Sequence, residues 1–284
     1  MERNLITVII PTYNRAHLIK DAAYSVLNQS YKNIELIIID DCSTDDTAEV
    51  VKSINDPRLN YHRLEKNSGA CIARNKGIEL ARGDYISFND SDDKWLENKL
   101  EEQLEFLLSN KADIVLCKMK CLDENNNFIH DFPSIDGNIK LSYKNLLVYN
   151  SASTQTFFGK SECFKDIKFD PEMPRLQDWD EALRLSSKYS IMFMDKILVH
   201  TFFQKDSIST HPEKGVAAME KLFLKHKETI MSDKDIIESF FNKKGAFVRK
   251  CHRSPVSEMK TIWTAKKNFK TLAKYLLARM GLLK

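Results

Sequence analysis

The sequence predicts an α/β fold built on an open, largely parallel sheet, and three observations carry that prediction. Leu5 to Ile10 and Ile34 to Ile39 are short, nearly all-apolar runs, the pattern of strands covered on both faces. Each leads into a segment of helical pattern, Ala16 to Asn28 and Asp45 to Ile54, so strand and helix alternate. A third apolar run, Tyr85 to Phe88, ends in Asn89-Asp90-Ser91-Asp92-Asp93, which places three carboxylates at a strand end. Ligands of such sheets sit beyond the carboxyl ends of the strands, so Thr12, Asp41 and Asp90 are expected to converge on one crevice.

Each element has a local justification. The first strand stops at Pro11-Thr12-Tyr13-Asn14-Arg15, and the second at Asp40-Asp41-Cys42-Ser43, where Ser43, Thr44 and Asp45 offer oxygens to cap the next helix. Asn67-Ser68-Gly69 precedes a helix that carries Arg74, and a helix N-terminus favours anions through its dipole and free N–H groups. Asp90 and Asp92 form an Asp-x-Asp pair, hard oxygen ligands of the kind that hold Mg²⁺ or Mn²⁺ against a diphosphate. Gln177 to Tyr189 is helical in pattern, with an apolar stripe of Trp179, Ala182, Leu183 and Leu185. Asp178 sits at the start of that helix, where the dipole keeps a carboxylate ionised.

Taken together, Pro11-Thr12-Tyr13-Asn14-Arg15, Asp40-Asp41-x-Ser43-x-Asp45-x-Thr47, Asn67-x-Gly69 with Ala73-Arg74-Asn75-x-Gly77, Asp90-x-Asp92-Asp93 and Gln177-Asp178-Trp179-Asp180 resemble the ordered motif series of family 2 glycosyltransferases with the GT-A fold. The resemblance covers about residues 5 to 210. It implies an inverting transferase that moves a sugar from a nucleotide-diphosphate donor, commonly a UDP-sugar, to an acceptor hydroxyl. Pro11, Thr12, Tyr13, Arg15, Asp41, Asn67, Gly69, Arg74, Asp90 and Ser91 are then expected to bind the nucleotide sugar. Within that set Thr12 and Tyr13 would form a wall for the base, and Asp41 would accept from a uracil N–H. Asp92 with Asp90 is expected to hold Mn²⁺ or Mg²⁺. Asp178 is the candidate general base, which inversion requires on the face opposite the leaving group. Asp93, Gln177 and Trp179 are expected to touch the sugar or the acceptor.

Several of these positions have a plainer reading. Asp41 with Ser43 could be a helix cap, Arg74 a surface ion-pair residue, Asp178 a cap, and Asp93 the cap of a helix starting near Lys94-Trp95-Leu96. Gln177 stands where the family more often has Glu. The Arg-x-His that often follows the last strand is replaced by Phe202-Phe203-Gln204-Lys205-Asp206-Ser207-Ile208-Ser209, in which the serines fit. His200, Lys205 or His211 could substitute there; His200, beside an apolar strand, is left out of the metal set.

The 284 residues suffice for one sizeable α/β core with an appendage. The expected division is a GT-A catalytic domain over 1–212, with a nucleotide-binding half at 1–93 and an acceptor-binding half at 94–212, followed by a helical, basic, amphipathic extension over 213–284. Six scattered cysteines form no Cys-x-x-Cys pair, and Cys117 with Cys121 has helical spacing, so reduced thiols are expected. Met1-Glu2-Arg3-Asn4 runs directly into the first strand, so no signal peptide is expected, and no apolar stretch reaches a membrane span. A cytoplasmic protein follows, either free or peripheral at the inner face of the cell membrane.

The formal net charge of +3 hides an asymmetry. Residues 241–284 hold twelve Lys or Arg and one acid, Glu258, against 31 basic and 39 acidic residues in 1–240. Trp263, Phe269, Leu272, Leu276 and Met280 interleave with Lys266, Lys267, Lys270, Lys274 and Arg279, which suits an anionic membrane surface or a helix that packs on the core. A thick apolar face without any nucleic-acid motif argues against nucleic acid. The expected partners are therefore a nucleotide-sugar donor, a glycan or lipid-linked acceptor, and an anionic membrane surface. A nucleotidylyltransferase would show a glycine-rich loop after its first strand, and Pro11 to Arg15 contains no glycine. A non-catalytic sugar-nucleotide or glycan-binding module would lack the metal pair or the base, whereas Asp90, Asp92 and Asp178 are all present.

Overall fold

The structure is a computed structural model that describes residues 4–203 and 211–283. In chain order the elements are β1 (Ile6–Thr12), α1 (Ile19–Leu27), β2 (Ile34–Asp40), α2 (Thr47–Lys52), β3 (Leu59–Arg63), α3 (Ala70–Leu80), β4 (Tyr85–Phe88) and β5 (Lys94–Trp95). Then come α4 (Lys99–Ser109), β6 (Ile114–Leu122), β7 (Phe128–Phe132), β8 (Ile139–Leu141), α5 (Tyr143–Val148), β9 (Phe158–Lys160) and α6 (Ser161–Asp166). The last are α7 (Gln177–Ser186), β10 (Ile191–Phe202), α8 (Pro212–Ser232), α9 (Lys234–Lys250), α10 (Val256–Lys266) and α11 (Phe269–Arg279).

The strands form one mixed sheet in the order β3-β2-β1-β4-β9-β6-β10-β5, with β7 on β6 and β8 on β10. The pairs β1–β2, β1–β4 and β2–β3 are parallel, so the expected central parallel strands are central and parallel. Every residue of β1 and of β2 is buried, which is why their sequences run apolar without alternation. Because β1 lies between β2 and β4, three neighbouring strands end side by side at Thr12, Asp40 and Phe88. Gly77 lets α3 close on this sheet, since a Cβ there would stand 2.4 Å from Ile9 Cγ2.

The chain divides into two compact units. The first comprises Met1–Ser142, Ser151–Pro171 and Glu181–Gln204 and contains the sheet. The second gathers Tyr143–Asn150 and Glu172–Asp180 with the C-terminal helices, so it is not a continuous appendage beginning at 213. Nor does the first unit break at 93/94, because β4 and β6 both pair with β9.

Two local expectations are corrected. Lys94-Trp95 does not open a helix: it is strand β5, paired with His200 and Val199 of β10, and α4 begins at Lys99. Trp95 is buried, and its ring is covered by the Lys99 ammonium 3.8 Å from the centroid. Cys117 and Cys121 lie on strand β6 rather than on a helix, where a spacing of four keeps both on one face. All six cysteines are free.

For the tail, a membrane surface and packing on the core were both expected, and part of it packs. Within the second unit α10 packs, with Met259 and Ile262 buried, and Trp263 stacks on Tyr275 of α11 at 5.6 Å between centroids. Lys266 is bound to Asp235 and Glu238 of α9. On α11 and just beyond it, Leu276, Leu277, Met280 and Leu282 are exposed. Packing thus claims α10 and leaves the end of α11 open. No described helix is long and apolar enough to cross a membrane.

Candidate active site

In the first unit the loops after β1 and β2 are latched to each other by side chains of the second motif. The Asn14 N–H donates to Ser43 Oγ at 2.9 Å, Arg15 N–H to Thr47 Oγ1 at 2.9 Å, and Ala16 N–H to Asp45 Oδ2 at 3.1 Å. Asn14, whose φ of +52° suits an asparagine, in turn accepts the Thr44 N–H on Oδ1 at 2.8 Å. Ser43, Asp45 and Thr47 therefore rigidify the wall that contains Thr12, Tyr13 and Arg15. Tyr13 is exposed, and Thr12 Oγ1 is buried with no partner in the protein.

Asp40 and Asp41 have different tasks. Asp40 is fully buried and accepts the Ser43 N–H at 2.7 Å and the Tyr61 hydroxyl at 2.5 Å; burial and that carboxylate push the Tyr61 phenol above its ordinary range. Asp41 does not cap α2. Its Oδ1 accepts the Ser68 N–H and its Oδ2 the Gly69 N–H, both at 2.7 Å, so one carboxylate organises the turn that opens α3. Gly69 has φ +90°, a conformation that disfavours a side chain, and no atom lies within 4 Å of the position a Cβ would take. Asn67 is exposed beside it. The latch was not legible beforehand, because a carboxylate that binds a base and one that binds two backbone amides look alike in sequence.

Arg74 is not a surface residue. It is 7% exposed, lies over the Phe169 ring at 5.4 Å and bonds Asp90 Oδ1 at 2.7 Å. Asn75 supports it from the next position, exchanging two hydrogen bonds with the backbone of Phe169. The third and fourth motifs are thus joined by a direct ion pair.

The end of β4 concentrates negative charge. Ser91 is buried and Asp92 half-buried. Burial, and then the Asp90 charge, push Asp92 up to about 6, against the pull of Arg15 and Arg74. Asp93 is buried; burial and the Asp92 and Asp90 charges hold it well above the carboxylate range. Its carboxylate accepts the Phe202 N–H at 3.3 Å and a bond from Thr201, so it neither caps a helix nor stands open, but anchors β10. Asn89, buried beside it, has an amide oxygen without a partner, a residue that sequence reasoning passed over for want of charge.

A divalent cation fits this donor set. Asp92 and Asp90 are hard oxygen ligands, and the upward displacement of Asp92 is what a nearby positive charge would relieve. Among the described residues no cluster of three or more His, Cys, Asp or Glu is arranged to hold a metal alone. Mg²⁺ and Mn²⁺ sites of two carboxylates are completed by phosphate and water oxygens. His200 lies on β10 beside Lys120, and both burial and that charge lower its pKa. Lys205, Ser207 and Ser209 lie outside the described residues, and His211 is exposed before α8.

The second unit contains the start of α7 and with it Asp178, Gln177 and Trp179. Asp178 is half-buried, and Oδ1 accepts the N–H of Trp179 at 2.8 Å. Asp180, two positions on, is fully buried and paired with Lys225 at 2.7 Å, which removes it from proton transfer. Trp179 is 1% exposed and its indole N–H donates to Leu146 O at 2.7 Å, so it is a packing residue whose edge reaches a cavity. Gln177 reaches Met173 O at 3.3 Å. Leu176, immediately before the helix, has φ +60°, rare for a leucine and typical of backbone held at a functional turn.

Comparison with known proteins agrees with this architecture. Residues 7–164 match the model of glycosyl transferase family 2. The chain is 50% identical over 110 residues to TuaG of Bacillus subtilis (strain 168), covering 38% of this chain and 44% of that protein. It is 36% identical over 147 residues to the UDP-Glc:alpha-D-GlcNAc-diphosphoundecaprenol beta-1,3-glucosyltransferase WfgD of Escherichia coli, covering 52% and 56%. The alignments thus span about half the length of these two relatives. The crystal structure of S. aureus TarS 1–349 in complex with UDP-GlcNAc superposes with a TM-score of 0.74 at 22% identity, covering 98% of this chain and 88% of that one. The strand-end carboxylates, the latched loops and a family match across most of the sheet lead to one assignment: the chain has a GT-A fold and belongs to glycosyl transferase family 2.

Proposed function

We propose that the protein is a metal-dependent inverting glycosyltransferase that uses a UDP-sugar and glycosylates a hydroxyl of a lipid-linked glycan in bacterial surface-polysaccharide synthesis. The observation that carries the reading is the crowding of Asp90, Asp92 and Asp93 at the end of β4, with Arg74 bonded to Asp90. Support for the substrates comes from WfgD, named for a UDP-glucose donor and a diphosphoundecaprenol-linked acceptor. Thr12, Tyr13, Arg15 and the turn held by Asp41 would seat the nucleotide, and Arg74 would hold Asp90 in place. Mn²⁺ or Mg²⁺ on Asp92 and Asp90 would supply Lewis-acid neutralisation of the diphosphate. Asp178 takes the proton of the acceptor hydroxyl as its oxygen bonds to the anomeric carbon. The bond from that carbon to the diphosphate oxygen breaks, the nucleoside diphosphate leaves, and configuration inverts.

We place the enzyme at the inner face of the membrane through the end of α11, where exposed Leu276, Leu277, Met280 and Leu282 neighbour Lys270, Lys274 and Arg279. Flotation with anionic vesicles should capture the full chain and lose it in salt, since adsorbed basic residues contribute on the order of 1 kcal/mol each within a Debye length. Absence of capture at low salt would defeat that placement.

The decisive experiment is a nucleotide-sugar screen for Mn²⁺-dependent stabilisation and hydrolysis, repeated with Asp92→Asn. One UDP-sugar should stabilise the wild type in Mn²⁺, with the effect lost in EDTA and in the variant. Full turnover in excess EDTA would overturn the metal role.

A further inference from the structure

The second unit contains a cavity of about 240 Å³ that the donor chemistry does not use, lined by Asn150, Leu176, Trp179, Lys243, Ala246, Phe247 and Lys250. Lys243, Ala246, Phe247 and Lys250 follow at i, i+3, i+4 and i+7, one face of α9. Two ammonium groups therefore flank a wall of Phe247, Trp179 and Leu176, and no lining residue is acidic. Arg175, outside that lining, places its guanidinium 5.0 Å from the Phe247 ring centroid and interacts with the Asp178 charge.

Lys243 is the unusual member. It donates to Val148 O and to Ser239 Oγ, and it stands 5.9 Å from the Trp179 and Tyr149 ring centroids, all neutral partners. Burial lowers its pKa to about 8. Among the described residues Lys243 meets no carboxylate; a partly buried ammonium so placed is costly, and a bound anion would relieve the cost. The cavity is smaller than the roughly 300–1,000 Å³ of sites that enclose a whole drug-sized ligand, so it suits a headgroup and the first stretch of a chain.

We propose that this cavity binds the prenyl diphosphate end of the acceptor, with Lys243 and Lys250 on the phosphates and Leu176, Trp179 and Phe247 against the first isoprene unit. The proposal rests on the lipid-linked acceptor inferred above. It gives the cavity a reason to border α7: Leu176 and Trp179 bracket Gln177 and Asp178 in sequence, so the part of the chain that shapes the cavity also carries the candidate base.

The test is calorimetric titration of the full chain, in EDTA so that no cation bridges phosphates to Asp92. The probes are farnesyl diphosphate, inorganic pyrophosphate and farnesol. Farnesyl diphosphate should bind roughly tenfold or more tightly than either fragment, and Lys250→Glu, at the exposed rim, should weaken it roughly tenfold or more. Lys243→Met should do the same; Lys250→Glu keeps the test decisive if loss of the Val148 and Ser239 contacts impairs folding. Binding of UDP in Mn²⁺ should be unchanged in both variants. Equal affinity of Lys250→Glu and wild type for farnesyl diphosphate would overturn the proposal, as would pyrophosphate or farnesol binding as well as the whole probe. Failure of the wild type to bind UDP would instead strike the donor reading and leave the result for the cavity standing.

Discussion

At the end of β4 three carboxylates crowd into four residues, with Arg74 and Arg15 to temper them, while the helical unit partly buries the Lys243 ammonium among neutral partners. The two regions violate the same rule with opposite signs, since a buried charge is normally paired or neutralised. What the contrast teaches is chemical. Surplus negative charge at a strand end fits a hard cation and, through it, a diphosphate; surplus positive charge in an apolar cavity fits an anion with a greasy body. One chain thus has complementary unsatisfied charges in the unit read as donor-binding and in the unit that carries Asp178.

The largest expected effect breaks the comparison at its catalytic end. Asp178→Asn keeps the size of the side chain and its bond from the Trp179 N–H but cannot take a proton, so turnover should fall by about 100-fold or more with donor affinity unchanged. Donor affinity falling in parallel would show that Asp178 belongs to the donor side, and NMR of a product with retained anomeric configuration would rule out single displacement.

A smaller effect separates latch from ligand in the first unit. Asp41→Asn leaves one acceptor oxygen for two amides, Ser68 and Gly69, so one buried bond is lost at about 1–3 kcal/mol in urea unfolding. Unchanged stability with a large loss of UDP affinity would mean that the carboxylate serves the base rather than the turn.

The smallest effect sharpens what an unpaired buried lysine means. Lys99 is as displaced as Lys243, down to about 8 by burial, yet it is sealed in the first unit between Trp95, Ser87 and Gln103. With its folded pKa below the unfolded 10.5, the unfolded chain holds more protons between those values, so this group's penalty is full below pH 8 and fades as pH rises. Between pH 7.5 and 9.5 the wild type should gain about 2 kcal/mol over Lys99→Met in urea unfolding, with UDP affinity equal in both. No difference in slope would mean that the Trp95 ring and its neighbours compensate the charge fully.

Much of the sheet was legible because buried parallel strands carry their signature locally: Tyr85–Phe88 is β4 to the residue, and Gln177 starts α7 as its apolar stripe suggests. Lys94-Trp95 misled, since a capping aspartate before an aromatic residue reads the same whether the next residues wind into a helix or pair with a distant strand. Trp263, read as part of an apolar face for a membrane surface or for packing on the core, stacks on Tyr275, a specific partner that no periodicity announces.

The sequence by itself determined which groups exist and in what order: apolar runs that bury as β1, β2 and β4, and polar strand ends with an Asp-x-Asp pair at the third. Those follow from hydrophobic period and residue type, properties of a few neighbouring positions. Only the tertiary structure decided the partners: Asp41 on two amides of a turn 27 and 28 residues away, Arg74 on Asp90, Asp93 on β10, and Lys243 beside a backbone carbonyl 95 residues earlier. A side chain's charge is written in its residue type, but its pKa and its task depend on what the fold brings within a few ångströms, and that is set by pairings far apart in the chain.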